Sequence, residues 1–244
     1  MRVKLTVAYD GTNYCGWQIQ PNGVTIEEVL NRALSELFEQ DIVVHGASRT
    51  DAGVHSLGNI AYFDVDTAMD ASRICFALNR RLPEDIRVQA SDQVAEDYNP
   101  HNVDSIKTYE YRILNATHGM PTQRLYTYFY HYTLDVDAMN EAAQYLVGEH
   151  DFTSFASVKS QVRSFVRTLY EVSVTKNGDI ITIRCTGNGF LYNMVRIIAG
   201  TLIQVGSGRL RPEQVKDILE GCDRELAGPT APPEGLTMIS WQEV

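Results

Sequence analysis

The chain has 244 residues, with 31 acidic against 21 basic side chains and a net charge of −10 at neutral pH. That length supports a large core, as one domain or two tightly packed ones, and the composition, 44% hydrophobic and 21% charged, is that of an ordinary globular protein. The acidic balance argues against a general nucleic-acid binder, and no apolar run in the sequence approaches the roughly 20 residues that span a bilayer. The N-terminus, MRVKLTVAYDG, reads as a strand and lacks the apolar segment of a signal peptide, so a cytoplasmic location is expected. Cys15, Cys75, Cys185 and Cys222 are scattered, with no CxxC or Cys/His ligand spacing. Reduced thiols are expected, with neither a metal site nor a disulfide framework.

Val3–Asp10 alternates and reads as the first strand, ending in the turn-rich cluster Asp10-Gly11-Thr12-Asn13. Thr25 and Glu28 form a capping box, and the helix it opens runs to about Phe38 with Ile26, Val29, Leu30, Ala33, Leu34 and Leu37 on one face. Ile42–His45 and Asn59–Val65 read as strands on either side of a polar, glycine-rich loop, Gly46–Gly58. Asp70 caps a helix to Leu78, with Ile74, Phe76, Ala77 and Leu78 partly inward, and Pro83 stops it before a strand over Ile86–Ala90. The polar stretch Ser91–Asp104 carries a domain boundary, giving halves 1–100 and 101–244.

In the second half, Lys107–Leu114 alternates strongly, with Tyr109, Tyr111 and Ile113 on one face. Leu125–Tyr132 reads as an aromatic strand, and Val136–Val147 as an amphipathic helix with Gly148 as its C-cap. Asn177-Gly178 joins strands Arg167–Thr175 and Asp179–Thr186 as a hairpin. Phe190–Val205 is a long apolar helix whose one charge, Arg196, needs a partner or a cleft. A short helix follows Arg211-Pro212 to about Glu220, and Leu236–Val244 returns as a last strand after the proline-rich GPTAPPEG. Between Ala156 and Arg211 stand eight basic residues (Lys159, Arg163, Arg167, Lys176, Arg184, Arg196, Arg209 and Arg211) against Glu171 and Asp179, a local charge of +6. Such a strip suits a polyanion docked on one face; solvated strand edges that discourage pairing are the competing explanation.

The loop Gly46–Gly58 offers a carboxylate, Asp51, a guanidinium, Arg49, and an imidazole, His55. A loop held by a rigid sheet is a common seat for chemistry, although Asp in such a loop also serves as a plain turn former. The order of its residues is more specific. SRTDAGVHS resembles the active-site loop of the TruA family of tRNA pseudouridine synthases. The same family is approached by YDGTNYCGWQIQ, ALNRRLPEDIRV, KTYEYRI, GEHDFTSF, FLYNMVRIIAGTL and GPTAPPEGL, so the resemblance runs from Tyr9 to Leu236. One departure stands out: where the family shows an F-x-A-R-like run, this chain has Tyr98-Asn99-Pro100-His101.

The resemblance implies an α+β pseudouridine synthase fold, with a mixed, mostly antiparallel sheet shared by two halves, helices packed on it and an active-site cleft between the halves. It implies isomerisation of uridine to pseudouridine at positions 38, 39 and 40 in the anticodon stem-loop of tRNA. Asp51 is then the nucleophile, with Arg49 and Arg196 as catalytic partners and Tyr109 stacking on the target base. It also implies a homodimer and no cofactor. Two other classes remain open at this point. Tyr62–Asp66 resembles an apolar strand ending in the D-x-D of magnesium-dependent phosphotransferases, but Ala68 stands where that motif has Thr or Val. A tRNA-binding module without catalysis would keep the basic strip and the aromatics but would not need Asp51. The absence of a GxxxxGK loop disfavours an NTPase.

Overall fold

A computed structural model describes residues 1–157 and 162–244. Lys159 of the basic strip lies outside the described residues. The chain divides into two compact units, Met1–Asp104 with Met238–Val244, and Ser105–Thr237. Both are α+β with mostly antiparallel strands. No helix among the described residues is long and apolar enough to cross a membrane.

The first unit is built on β1 (Arg2–Tyr9), whose strict alternation buries Val3, Leu5, Val7 and Tyr9 on one face. It pairs antiparallel with β3 (His55–Asp64) and β4 (Ile86–Val94), and β10 (Leu236–Glu243) lies on the far side of β3. Helix α1 (Ile26–Phe38) starts at Thr25, whose side chain accepts from the Glu28 N–H, and buries Ile26, Val29, Leu30, Ala33 and Leu34 in the core of this unit. Helix α2 (Ala71–Leu78) is capped by Asp70 as expected, but its inward residues are Ala71, Ile74, Cys75 and Leu78, while Phe76 is 72% exposed. The expected strand Ile42–His45 is reduced to a two-residue bridge, β2 (His45–Gly46), on β3. Its backbone donors go elsewhere: the Ile42 N–H bonds Ser35 Oγ at 3.0 Å and the Val44 N–H bonds Asn31 Oδ1 at 2.8 Å, so α1 satisfies a run that a strand partner would otherwise serve.

In the second unit β5 (Ser105–Leu114) pairs antiparallel with β9 (Ile180–Gly187). That strand in turn pairs with β8 (Val166–Asn177), and β8 with β7 (Gly148–Asp151). The hairpin β8–β9 turns at Gly178, φ 58°, as the Asn-Gly pair requires. The expected aromatic strand Leu125–Tyr132 forms only β6 (Tyr128–Phe129), parallel to β5. A 3₁₀ turn at Pro121–Gln123 precedes it, and Gln123 O accepts from the Tyr126 N–H and the Thr127 hydroxyl. Helix α3 (Val136–Gln144) stops before Gly148, which instead opens β7. Helix α4 (Met194–Gly206) begins four residues later than Phe190, because Asn193 takes a left-handed φ of 63° that breaks the run. Helix α5 (Gln214–Glu220) completes the unit.

Cys185 lies wholly buried on β9, where burial, with Glu171 adding, pushes its thiol up to about 12. Cys75 is also buried, whereas Cys222 is exposed. Iodoacetamide is therefore expected to label Cys222 in the native protein while sparing Cys75 and Cys185, with all four reacting after denaturation. Native labelling of Cys185 as fast as Cys222 would contradict this packing.

Candidate active site

The loop between β2 and β3 is held from beneath almost carbonyl by carbonyl. The Ala47 N–H bonds Ile60 O at 2.7 Å, Asn59 Nδ2 donates to Ser48 O at 2.9 Å, and the Trp17 N–H donates to Thr50 O at 3.1 Å. The Val54 N–H returns to Asp51 O at 3.1 Å, closing a turn over Ala52 and Gly53. Gly53 has φ 79°, as the third residue of a type II turn requires. The Gly53 N–H also bonds Tyr14 O at 3.2 Å.

The segment Asp10–Trp17 presses against this turn through two glycines. A Cβ on Gly11 would stand 2.0 Å from Val54 O, and one on Gly16, itself at φ 84°, would stand 2.5 Å from Thr50 O. The Gly11 N–H reaches His55 Nδ1 at 3.1 Å. Asp10 Oδ1 lies equally close to that nitrogen, but it already accepts from Thr12 N–H and Oγ1. His55 is 4% exposed on β3: it braces the loop rather than facing solvent. The result is that Thr50 is buried, Asp51 half-buried and Arg49 exposed, a carboxylate and a guanidinium two residues apart on a pinned turn.

The other two predicted residues belong to the second unit. Tyr109 on β5 stands opposite Cys185, is 7% exposed, and meets Phe190 edge-on with ring centroids 5.0 Å apart. Arg196 lies in the first turn of α4, where its Nε donates to Ala231 O at 2.7 Å and its Nη1 to Asn193 Oδ1 at 2.9 Å. The next carbonyl of the same loop, Pro232 O, accepts from the Tyr111 hydroxyl at 2.8 Å. Burial, with Glu234 adding, raises Tyr111 well above the usual phenol range, and the nearby Arg196 charge opposes that rise.

The basic strip is less free than its sequence implies. Arg184 is held by Glu110 at 2.7 Å and Glu171 at 3.6 Å, and Arg211 by Glu213 at 2.7 Å. Lys107, by contrast, is lowered first by burial and then by the Arg167 charge, and burial lowers Arg167 too. Burial disfavours the charged form of both side chains, and an anion brought by a ligand would offset that cost. Among the described residues no three His, Cys, Asp or Glu side chains are grouped to hold a metal. His101, in the stretch that departs from the family pattern, is exposed, and its N–H bonds Asn99 Oδ1. Sequence reading passed over Tyr9, Thr50 and Asn59, which are buried around the loop. The available signals were a tyrosine at the last inward position of β1 and an asparagine inside an apolar strand.

A family model described as tRNA pseudouridine synthase matches residues 5–101 and 142–242. A protein of Brevibacillus brevis named tRNA pseudouridine synthase A is 45% identical over 243 residues, covering 100% of this chain and 99% of its own. The protein of that name from Bacillus subtilis is 43% identical over 238 residues, covering 97% of this chain and 96% of its own.

Proposed function

Since the chain belongs to the tRNA pseudouridine synthase family, we propose that it isomerises uridine at positions 38, 39 and 40 of the tRNA anticodon stem-loop, with Asp51 as the nucleophile. The observation that carries this reading is the pinned turn, which displays one carboxylate on a backbone tied by Tyr14, Trp17 and Asn59. The reaction breaks the bond from uracil N1 to ribose C1′, turns the base, and joins C5 to C1′; the C5 proton leaves and N1 ends protonated. No electron is exchanged, so the chemistry calls for no redox partner. An ionised carboxylate attacks covalently and divides one hard step into easier ones. It, or water beside it, then takes the C5 proton. In this reading Arg49, two residues away on the same loop, is the cation that favours the ionised carboxylate, and Arg196 is the second catalytic cation.

The target base leaves its stack at a cost of a few kcal/mol. Tyr109, its orientation braced by Phe190, returns part of that cost by stacking once the side chains over its ring part. Lys107 and Arg167 are the cations we assign to backbone phosphates. The same reading has the enzyme acting on tRNA in the cytoplasm as a homodimer.

Incubating unmodified tRNA transcripts with the protein, then mapping pseudouridine by carbodiimide adducts and reverse-transcription stops, tests the assignment. Stops at 38, 39 and 40 are expected. Stops confined to another arm of the tRNA would contradict the proposed positions. Tyr109→Ala is expected to weaken tRNA binding by about 5- to 150-fold, the range that a lost base stack implies, and Tyr109→Phe by much less. Equal binding by the two variants would remove the stacking role.

A further inference from the structure

Beneath the turn that displays Asp51 lies a buried polar contact that the chemistry above does not use. Tyr9 ends the inward-facing run of β1 at 4% exposure, and its hydroxyl lies 2.8 Å from Thr50 Oγ1. Asn59, wholly buried on β3, donates through Nδ2 to Ser48 O at 2.9 Å and reaches the Tyr9 hydroxyl at 3.5 Å. The residue before Asp51 is thereby fixed twice: its side chain by Tyr9, its carbonyl by the Trp17 N–H. The indole that follows this N–H packs on the same tyrosine, with ring centroids 5.9 Å apart.

A hydroxyl is an expensive group to place there. The inward positions before it on β1 are Val3, Leu5 and Val7, and a phenylalanine would fill the ring's place without burying an oxygen. Burial raises the Tyr9 phenol to about 12, with the bonds from Thr50, Asn59 and Ser56 opposing the rise, so it stays a neutral phenol through the working range. Thr50 is β-branched, with few χ1 wells, and a bond to its Oγ1 selects one of them. Fixing that rotamer and the carbonyl together leaves the Thr50–Asp51 peptide little freedom to turn.

We propose that Tyr9 is a positioning residue for the isomerisation: through Thr50 Oγ1, and steadied by Asn59, its hydroxyl sets the direction in which the Asp51 carboxylate points. The proposal rests on the reading of Asp51 as the reacting carboxylate. A misplacement of about 1 Å at a reacting group costs on the order of 100-fold in rate, whereas substrate affinity, set by contacts elsewhere, is untouched.

The test measures kcat and KM on tRNA for wild type, Tyr9→Phe, Thr50→Val, the double variant, Thr50→Ser and Asp51→Asn. Tyr9→Phe is expected to lower kcat about 10- to 100-fold with KM within about 3-fold. The double variant is expected to be no slower than the slower single variant, because both deletions break one contact. Thr50→Ser, which keeps the hydroxyl, is expected to stay within about 3-fold of wild type in kcat. An unchanged kcat in Tyr9→Phe, losses that multiply in the double variant, or a loss carried by KM would each overturn the proposal. Should Thr50→Val fail to fold, Tyr9→Phe and Thr50→Ser decide alone. Retained turnover in Asp51→Asn would overturn the premise instead, which keeps the two failures apart.

Discussion

Asp51→Asn is expected to abolish pseudouridine formation, with a loss on the order of 10⁴-fold or more in kcat, while tRNA affinity stays within several-fold. The substitution keeps the size of the side chain and removes its charge, and an amide does not replace a carboxylate as nucleophile. The turn itself should survive. Its closing bond runs from the Val54 N–H to the backbone carbonyl of residue 51, and Gly53 supplies the positive φ, so neither depends on the carboxylate. Asparagine also suits turns. Measuring kcat by product mapping beside Kd by filter binding separates chemistry from docking. A Kd that weakens as much as kcat falls would show that Asp51 serves binding rather than reaction.

The second large effect concerns Gly200 in α4. Glycine to alanine inside a helix ordinarily stabilises by up to about 1 kcal/mol. Here the sign should reverse. A Cβ at Gly200 would stand 1.8 Å from Pro229 O and 2.9 Å from Pro229 C, and on the other side of the contact Gly228 leaves no room against Thr201. Helix and loop meet backbone to backbone, with the Gly228 N–H bonded to Thr201 Oγ1 at 2.9 Å and the Ala231 N–H to Arg196 O at 3.0 Å. Gly200→Ala is expected to destabilise by about 1–3 kcal/mol, a fall in Tm of roughly 2–12 °C for a chain of this size. With Arg196 as a proposed catalytic cation, kcat should fall as well, below the melting transition, because Ala231 O holds its guanidinium. Gly208→Ala is the control: its φ of 74° carries a backbone cost, but nothing lies within 4 Å of the added carbon. A Gly200→Ala protein that melts at or above the wild-type temperature would contradict the close approach of loop and helix.

The elements that local chemistry specifies were legible in the sequence. Thr25 with Glu28 opened α1, Asp70 opened α2, and Asn177-Gly178 turned the β8–β9 hairpin, each because the signal and its partner lie within a few residues. Two expected strands are cut short, the first because side chains of a helix take its backbone donors. Ile42–Val44 looked like a strand by composition, yet its donors are met by Ser35 and Asn31 of α1. The aromatic run Leu125–Tyr132 pairs over only two residues. The left-handed Asn193 that delays α4 carries no signal in an apolar run that otherwise reads as helix. Residues 238–244, last in the chain, group with the first unit, a pairing across the whole length that no local pattern encodes.

The candidate site divides in the same way. Asp51 and Arg49 stood out by the order of residues in their loop, and one charge in an apolar helix said that Arg196 needs a partner, which Ala231 O and Asn193 Oδ1 supply. That these two hold its guanidinium was not legible, because the carbonyl comes from a loop 35 residues away. Nor was the demotion of Arg184 and Arg211 to ion pairs, since Glu110 and Glu171 meet Arg184 across the sheet ladder and Glu213 meets Arg211 within a turn. Tyr9, Thr50 and Asn59 looked like sheet and turn residues, and only their convergence around one peptide gives them a role.

Release of tritium from tRNA labelled at C5 of uridine, measured for wild type beside Asp51→Asn, bears most directly on the central claim, because bonding C5 to C1′ expels that hydrogen. Steady release by wild type and none by the variant is expected on tRNA that both proteins bind. Release by the variant at the wild-type rate, or no release by wild type from tRNA it binds, would rule out Asp51 as the essential carboxylate of a pseudouridine synthase.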